Sequence, residues 1–228
     1  MSRPEPDFAV VVDQGVALQQ TLATEDLIAV GGTAVALHCG HRFSLDVDCV
    51  MPRLRECYGE VLERLERWDG WQTNRCNPPV LILGERHGIE LGVRQLRRLV
   101  PLETTLARGL RVPTLGEMLR IKARLLAERR ATRDYVDVAA LTRKLGIDAA
   151  LKSLVTLNAC YPMIGRQTAA TAVAEACEAQ PLDLVQVSLP RYKGLQPPYN
   201  EWATVAATVR ELGHALIKSE LGGRLRDG

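Results

Sequence analysis

The sequence predicts an α+β fold in which a small mixed sheet with helices is followed by a helical C-terminal part. Two observations predict it. Short apolar or alternating runs of strand length are confined to the first half of the chain, and the second half places apolar residues at helical spacing. The 228 residues are enough to bury a core. We predict a core over residues 1–112 and a helical part over 113–228.

The N-terminal half alternates helices with short strands. Helical spacing predicts helices over 9–22, 33–39 and 52–68. Apolar or alternating runs predict strands over 27–32, 45–50, 80–83 and 89–96. The last two strands flank the segment GERHG, whose glycines favour a hairpin turn.

The C-terminal half has the patterns of helices. They are predicted over 112–130, 133–146, 148–160, 167–179 and 200–220. Thr132 precedes the second of these as a candidate N-cap, and Gly146 ends it. Segments rich in proline and glycine separate the last two helices.

Composition excludes some classes of protein. The net charge is only +2, so composition alone does not indicate a nucleic-acid-binding protein. No run is long and apolar enough to cross a membrane, which predicts a protein without a membrane partner. The six cysteines form no CxxC pair, which is typical of reduced thiols and predicts a cytoplasmic protein.

Two aspartates stand one residue apart in the predicted strand LDVDCV. Side chains two positions apart on a strand point to the same face, so Asp46 and Asp48 bring like charges together. A divalent cation turns that repulsion into binding, and Mg²⁺ uses one or two carboxylates together with substrate phosphates. The alternative is an edge strand with polar residues facing water, the usual meaning of an isolated Asp-x-Asp.

A glycine pair precedes this strand and stands at the start of a predicted helix. Gly31 and Gly32 have no side chain to keep a phosphate away from the backbone. The helix that opens at Thr33 offers N–H donors at its N-terminus. The glycine pair therefore predicts a phosphate site beside the metal site.

A lysine interrupts the apolar stripe of the helix predicted over 112–130. Leucine or methionine occupies positions 115, 118, 119, 125 and 126, and the remaining position on this face is Lys122. A lysine on an inward stripe is unfavourable unless an anion lies near it. The ammonium either reaches the surface past its neighbours or binds a phosphate. With the acid pair upstream, we predict that Lys122 binds a phosphate.

The segment GGTAVALHCGHRFSLDVD, residues 31–48, resembles the signature of nucleotidyltransferases of the DNA polymerase beta superfamily. In that superfamily Gly-Gly-Ser/Thr precedes an acid pair by about ten residues. More narrowly, the segment resembles the AbiEii/AbiGii-type (MenT-like) nucleotidyltransferase toxins of bacterial toxin–antitoxin systems. The segment GEMLRIKARLLAERRATRDYVDVAAL is similar to the second and third motifs of that family, a lysine in one helix and Arg-Asp-x-x-Asp in the next.

The resemblance implies a polymerase-beta-like nucleotidyltransferase core and a set of site residues. It implies catalytic roles for Asp46, Asp48, Lys122, Asp134 and Asp137, with two Mg²⁺ held by the first two. It implies nucleotide contacts for Gly31, Gly32, Thr33, His41, Arg42, Ser44 and Lys122. A third acid in this superfamily usually comes from a neighbouring strand, where Glu90 is the candidate. For Asp134, a place in the first helical turn beside the helix dipole is an alternative explanation.

The implied reaction is Mg²⁺-dependent transfer of a nucleotide from an NTP, a pyrimidine nucleotide such as CTP, to the 3′ end of tRNA or another RNA acceptor. Such a toxin blocks translation and has a cognate antitoxin protein as its partner. The basic cluster Arg129, Arg130 and Arg133 is predicted to contact RNA phosphates, with plain surface charge as the alternative. The competing functions are a small-molecule or protein-modifying nucleotidyltransferase and a non-catalytic partner-binding fold.

Overall fold

The computed structural model describes residues 7–23, 25–98 and 100–224, and within them it has the α+β architecture that the sequence predicts. The chain divides into two compact units, Met1–Thr114 and Leu115–Gly228. The mixed sheet lies in the first unit, and the second unit is mostly helical. Within the described ranges, no helix combines the length and the apolar character needed to cross a membrane.

The first unit is built on a five-stranded sheet. Its described helices are α1 (Phe8–Thr21), α2 (Gly31–Cys39) and α3 (Leu54–Glu66). Its described strands are β1 (Ile28–Val30), β2 (Asp46–Met51), β3 (Trp71–Asn77), β4 (Leu81–Arg86), β5 (Ile89–Gln95), β6 (Thr104–Ala107) and β7 (Leu110–Pro113). The large sheet has the order β1-β2-β5-β4-β3, with β2 and β5 parallel and the other neighbours antiparallel.

Strand β2 lies inside this sheet, between β1 and β5. Val47 and Cys49 are buried on one face, and Asp46 and Asp48 lie half-buried on the other. Helix α1 packs against the buried face, where a Cβ on Gly15 would lie 3.2 Å from Val47. The alternation read from the sequence is therefore confirmed. The edge-strand alternative is wrong, because β2 has a hydrogen-bonded neighbour on each side.

Three strands of the first unit have no signal in the sequence pattern. Strand β3 is an edge strand whose residues, WQTNRCN, are mostly exposed, so it lacks apolar alternation. Strands β6 and β7 form a separate hairpin. The predicted hairpin between β4 and β5 is confirmed, and it turns at His87 and Gly88, with φ of 51° and 78°. Two successive positive φ values give a turn whose twist matches that of antiparallel strands.

The second unit is a group of helices around α5. Its described elements are α4 (Leu115–Arg129), α5 (Thr132–Leu145), α6 (Ile147–Leu154), α7 (Leu157–Cys160), β8 (Met163–Ile164), β9 (Gln167–Thr168), α8 (Ala169–Glu178) and α9 (Trp202–Arg224). Helix α5 packs against α4, α6 and α9. The single helix predicted over 148–160 is two helices, with Val155 and Thr156 between them.

The N-terminus of α5 is capped from a distant loop. The sequence predicts Thr132 as the N-cap, but Ala131 occupies that position and Thr132 is the first helical residue. The N–H and the hydroxyl of Thr132 both donate to Oδ1 of Asp183, each at 2.7 Å. Burial by itself raises the pKa of Asp183, but the hydrogen bonds from Thr132 outweigh it and leave the pKa below its ordinary value.

Replacing Asp183 with alanine should lower the free energy of unfolding by about 1 kcal/mol at neutral pH, because α5 loses its cap. The folded-state pKa is lowered, so the carboxylate stabilises the fold above its unfolded-state pKa. That contribution is lost as the pH falls through the folded-state pKa. Urea unfolding of both proteins from about pH 7 downward measures the difference. A difference that does not shrink with acidification contradicts a cap made by the ionised carboxylate.

Candidate active site

The acid pair lies in an open, charged cavity of the first unit. Asp46 and Asp48 are opposite Glu90 and Gly92 of β5 in the parallel register. The Ser44 hydroxyl donates to Oδ1 of Asp46 at 2.8 Å. The cavity above this face has a volume of about 150 Å³, and its lining includes Asp46, Asp48, Arg75, Glu90, Gly92 and Arg94. The structure thus brings both predicted metal ligands to one accessible surface.

Gly92 makes room for the Asp48 carboxylate. A Cβ at this position would lie 2.8 Å from Oδ1 of Asp48 and 2.9 Å from Cδ2 of Leu83. Any side chain there would therefore fill the space beside the acid pair. Sequence reasoning missed Gly92, although an isolated glycine inside a strand is a known signal of a close approach.

The donor set of this cavity fits a divalent cation. Asp46 and Asp48 offer carboxylate oxygens, and the gap left by Gly92 adjoins one of them. Within the described ranges, no group of three or more His, Cys, Asp or Glu residues is arranged to hold a metal. Mg²⁺ needs only one or two carboxylates and completes its coordination with water and phosphate. Glu90 is the register neighbour of Asp46, and its role as a third acid stays a prediction.

Helix α2 begins beside the acid pair, at the glycine motif. Gly31 has a φ of 72°, which favours glycine, and a Cβ added to it would lie 3.6 Å from Cβ of Asp48. The N-cap residue, Val30, makes no side-chain hydrogen bond to the helix. No N-cap side chain therefore competes with an anion for the first N–H groups of α2.

Gly32 has a packing role in addition to the nucleotide contact that the sequence predicts, and that contact stays a prediction. A Cβ there would lie 2.8 Å from Nη2 of Arg42 and 2.9 Å from Oγ of Ser44. The space is thus taken by two buried side chains, so that the glycine admits the loop before β2. Nη1 of Arg42 also donates to the carbonyl of Phe43 at 3.0 Å. Contacts of Arg42 and Ser44 with a nucleotide remain predictions.

Thr33 and His41 are also buried. The Thr33 hydroxyl donates to the backbone carbonyl of Asp46, which fastens the first turn of α2 to the start of β2. Thr33 therefore positions the acid strand through its side chain. Contacts of Thr33 and His41 with a nucleotide remain predictions.

In the second unit, the lysine of the apolar stripe is bound by the two aspartates of α5. Nζ of Lys122 lies 2.8 Å from Oδ2 of Asp137 and 3.4 Å from Oδ1 of Asp134. The Lys122 side chain is 3% exposed and both aspartates are 0% exposed. The alternative in which its ammonium reaches the surface is therefore wrong.

Arg129 completes a balanced set of charges, which we call the Lys122 cluster: Lys122, Arg129, Asp134 and Asp137. Nε and Nη2 of Arg129 donate to the two oxygens of Asp134, at 2.6 Å and 2.9 Å. Burial by itself lowers the pKa of the Arg129 guanidinium, but the hydrogen bond and charge of Asp134 raise it above its ordinary value. The cluster thus contains two cations and two carboxylates, so the helix dipole is not needed to explain Asp134.

The predicted RNA-binding arginines differ in their surroundings. Arg129 binds Asp134, and Nη2 of Arg130 donates to the carbonyl of Gln180 at 2.8 Å. Arg133 is exposed on α5. Plain surface charge is therefore an incomplete description of Arg129 and Arg130, because both make hydrogen bonds within the second unit.

No family model and no curated protein matches this chain, but solved structures do. JHP933 from Helicobacter pylori matches with a TM-score of 0.56 and 14% identity over 97% of this chain and 98% of that one. MenT4, a nucleotidyltransferase toxin from Mycobacterium tuberculosis, matches with a TM-score of 0.53 and 21% identity over 94% of this chain and 86% of that one. ANT(2″)-Ia, solved with adenylyl-2″-tobramycin, matches with a TM-score of 0.50 and 14% identity over 66% of this chain and 96% of that one.

These likenesses concern the fold, because the sequence identities are low. They agree with the resemblance drawn from the glycine and aspartate motifs, since a MenT toxin is among the structures that match. They agree also with the small mixed sheet that carries the acid pair. The chain therefore has the nucleotidyltransferase fold, shared with MenT4 and ANT(2″)-Ia.

Proposed function

We propose that this protein is a Mg²⁺-dependent nucleotidyltransferase that transfers a nucleotide from an NTP to the 3′ end of tRNA. The observation that carries the proposal is the pair Asp46 and Asp48 on an open strand face beside the start of α2. Carboxylates next to helix N–H donors suit a triphosphate that carries a metal ion. The shared fold and the sequence motifs support the same reaction.

In this reaction the oxygen of the acceptor hydroxyl loses its proton to solvent and bonds to the α-phosphorus, as the bond to the bridging oxygen breaks and pyrophosphate leaves. Magnesium, when bound, supplies Lewis-acid polarisation and lowers the pKa of the attacking hydroxyl. Asp46 and Asp48 provide the oxygen ligands. Ser44 orients the Asp46 carboxylate, and Thr33 fixes the backbone of the same residue. The N–H groups of the first turn of α2 bind phosphate oxygens.

The resemblance supports catalytic roles for Lys122, Asp134 and Asp137 as well. The contacts within the Lys122 cluster add that the lysine charge is already balanced by carboxylates. We therefore propose that these residues act together, with the aspartates holding the ammonium in place. Loss of one member should disturb the others.

The identity of the acceptor and the donor rests on the resemblance to MenT-like toxins. It supports a pyrimidine nucleotide as donor, tRNA as acceptor, a block of translation as the outcome and a cognate antitoxin as protein partner. MenT4 is itself described as a nucleotidyltransferase toxin. We place the activity in the cytoplasm, because NTPs and tRNA are found there.

The test is a transfer assay with each of the NTPs labelled in its α-phosphate. The purified protein receives Mg²⁺ and, in separate reactions, total tRNA, an aminoglycoside or no added acceptor. We expect label on tRNA, with CTP or UTP as the better donor, and none with Asp48→Asn. Label on the aminoglycoside alone would favour a small-molecule transferase, since the matching ANT(2″)-Ia structure contains an adenylylated aminoglycoside. Label on protein would favour a protein-modifying enzyme, and no label in any reaction contradicts the proposal.

Arg133→Glu should weaken RNA binding by about three- to tenfold and reduce its dependence on salt, because a phosphate contact is lost. Arg133 is a cleaner test than its neighbours, since it is exposed and they make structural contacts. Arg143→Glu, which changes an exposed arginine near the other end of α5, is the matched control. RNA affinity at several salt concentrations and NTP affinity with Mg²⁺ are measured for each protein. An equal loss in both variants contradicts a specific contact at Arg133.

A further inference from the structure

Arg94 contacts the acid pair from β5. Its Nε donates to Oδ1 of Asp48 at 3.0 Å. Arg94 lies on β5 two residues beyond Gly92, which is the register partner of Asp48. Residues two apart on a strand share a face, and Gly92 has no side chain to intervene. The guanidinium therefore reaches the carboxylate across the gap that Gly92 leaves.

The ion pair between Arg94 and Asp48 is weak enough to be broken when a ligand binds. The side chains of Arg94 and Asp48 are 45% and 34% exposed, and exposed pairs of this kind contribute little to stability. The Lys122 cluster is the opposite case, because its lysine and aspartates are buried. The weak pair also lies in the cavity that holds the proposed metal ligands. A guanidinium bonded to Oδ1 of Asp48 competes with a metal ion for that oxygen.

We propose that Arg94 is the resident counter-ion of Asp48, and that its displacement couples metal binding to nucleotide binding. The inference rests on the proposed function, since it assigns the metal to the same aspartates. While the guanidinium balances Asp48, a divalent cation alone binds weakly. A triphosphate gives Arg94 a new anionic partner, because guanidinium groups bind phosphate oxygens well. Arg94 then moves away from Asp48, and the Asp48 carboxylate binds the metal that accompanies the nucleotide.

Arg75 separates this specific role from a general effect of positive charge. It lines the same cavity from β3, so its removal changes the cavity charge by the same amount. The described contacts of Asp48 join it to Arg94 rather than to Arg75. A comparison of Arg94→Gln with Arg75→Gln therefore tests the contact itself.

The experiment measures Mn²⁺ affinity by electron paramagnetic resonance, with Mn²⁺ alone and with Mn²⁺ plus a CTP analogue that has a non-hydrolysable α,β-bond. In the absence of nucleotide, Arg94→Gln should bind Mn²⁺ about fivefold more tightly than the parent. Arg75→Gln should change the affinity by less than about twofold. With the analogue present, the advantage of Arg94→Gln should disappear, because the parent Arg94 has then moved to the phosphates. Circular dichroism verifies that each variant is folded.

Three results would overturn the inference. If Arg94→Gln binds Mn²⁺ as the parent does while Asp48→Asn does not bind it, the coupling is wrong and the metal site stands. If Arg75→Gln gains as much affinity as Arg94→Gln, the effect comes from charge in general and the contact has no special role. If Mn²⁺ binds neither the parent nor any variant, the metal site of the proposed function fails, and the role of Arg94 fails with it.

Discussion

Asp46→Asn and Asp48→Asn should each lower nucleotidyl transfer by at least about 1,000-fold while the fold remains intact. Each substitution replaces a charged oxygen ligand with a neutral amide of the same size. Both side chains are half-buried on the open face of β2, so no core packing is lost. Removing one of two like charges also relieves repulsion in the metal-free protein. Asp46→Asn keeps an oxygen that accepts the Ser44 hydrogen bond, and it should be at least as stable as the parent.

Transfer rates over a range of Mg²⁺ concentrations, together with thermal unfolding without metal, measure both effects. Glu90→Gln is the comparison, because it neutralises the candidate third acid on the same sheet face beside Asp46. A smaller loss in Glu90→Gln than in the two aspartate variants would assign the metal to the aspartate pair. A variant of Asp46 or Asp48 that keeps the parent rate would remove that residue from the metal site, and one that unfolds would reveal a structural role instead.

Lys122→Met should lower the free energy of unfolding by about 3–5 kcal/mol. The sequence alone predicts that Lys122→Met keeps its stability, because methionine suits the apolar stripe of α4. The ion pairs of Lys122 explain why stability should be lost instead. Lys122 is one of two cations that balance the buried carboxylates of Asp134 and Asp137, so its loss leaves excess negative charge in the interior.

The double variant Lys122→Met/Asp137→Asn tests this explanation, since it removes one charge of each sign. We expect it to recover more than half of the stability that Lys122→Met loses. Lys144→Met, at an exposed position in the last turn of α5, is the control for a lysine-to-methionine change. Urea unfolding at neutral pH measures all four proteins. Parent-like stability of Lys122→Met would show that its charge contributes nothing to the balance.

The parts of the fold that local periodicity encodes were predictable. The alternation around Asp46 gives the correct face for each residue of β2, and the apolar residues of α1 give a helix close to its observed ends. The strand β3 was not predictable in the same way, because an exposed edge strand has no buried face to impose a pattern. Its strand character comes from pairing with β4, which is a tertiary contact.

The candidate site shows the same division. The sequence identifies the acid pair, since a shared face follows from spacing alone. It does not reveal that Gly32 admits Arg42 and Ser44, because that depends on how the loop before β2 packs. Nor does it reveal that Arg94 binds Asp48, because these two residues are 46 positions apart in the chain. The sequence likewise does not reveal that the aspartates of the next helix bind Lys122, and the phosphate contact of this lysine stays a prediction. Sequence spacing predicts which face of a helix or strand a side chain occupies, and tertiary packing determines which residues it contacts.

The balance of charges in the Lys122 cluster also constrains how this protein can evolve. Any single substitution that alters the charge of Lys122, Asp134 or Asp137 leaves an unbalanced charge in the interior. A substitution at one of these positions is therefore tolerated only together with a second substitution that restores the charge balance. Homologous chains should keep these positions together or replace them together by uncharged residues. Arg94 and Asp48 are under no such restriction from stability, because their pair is exposed to solvent.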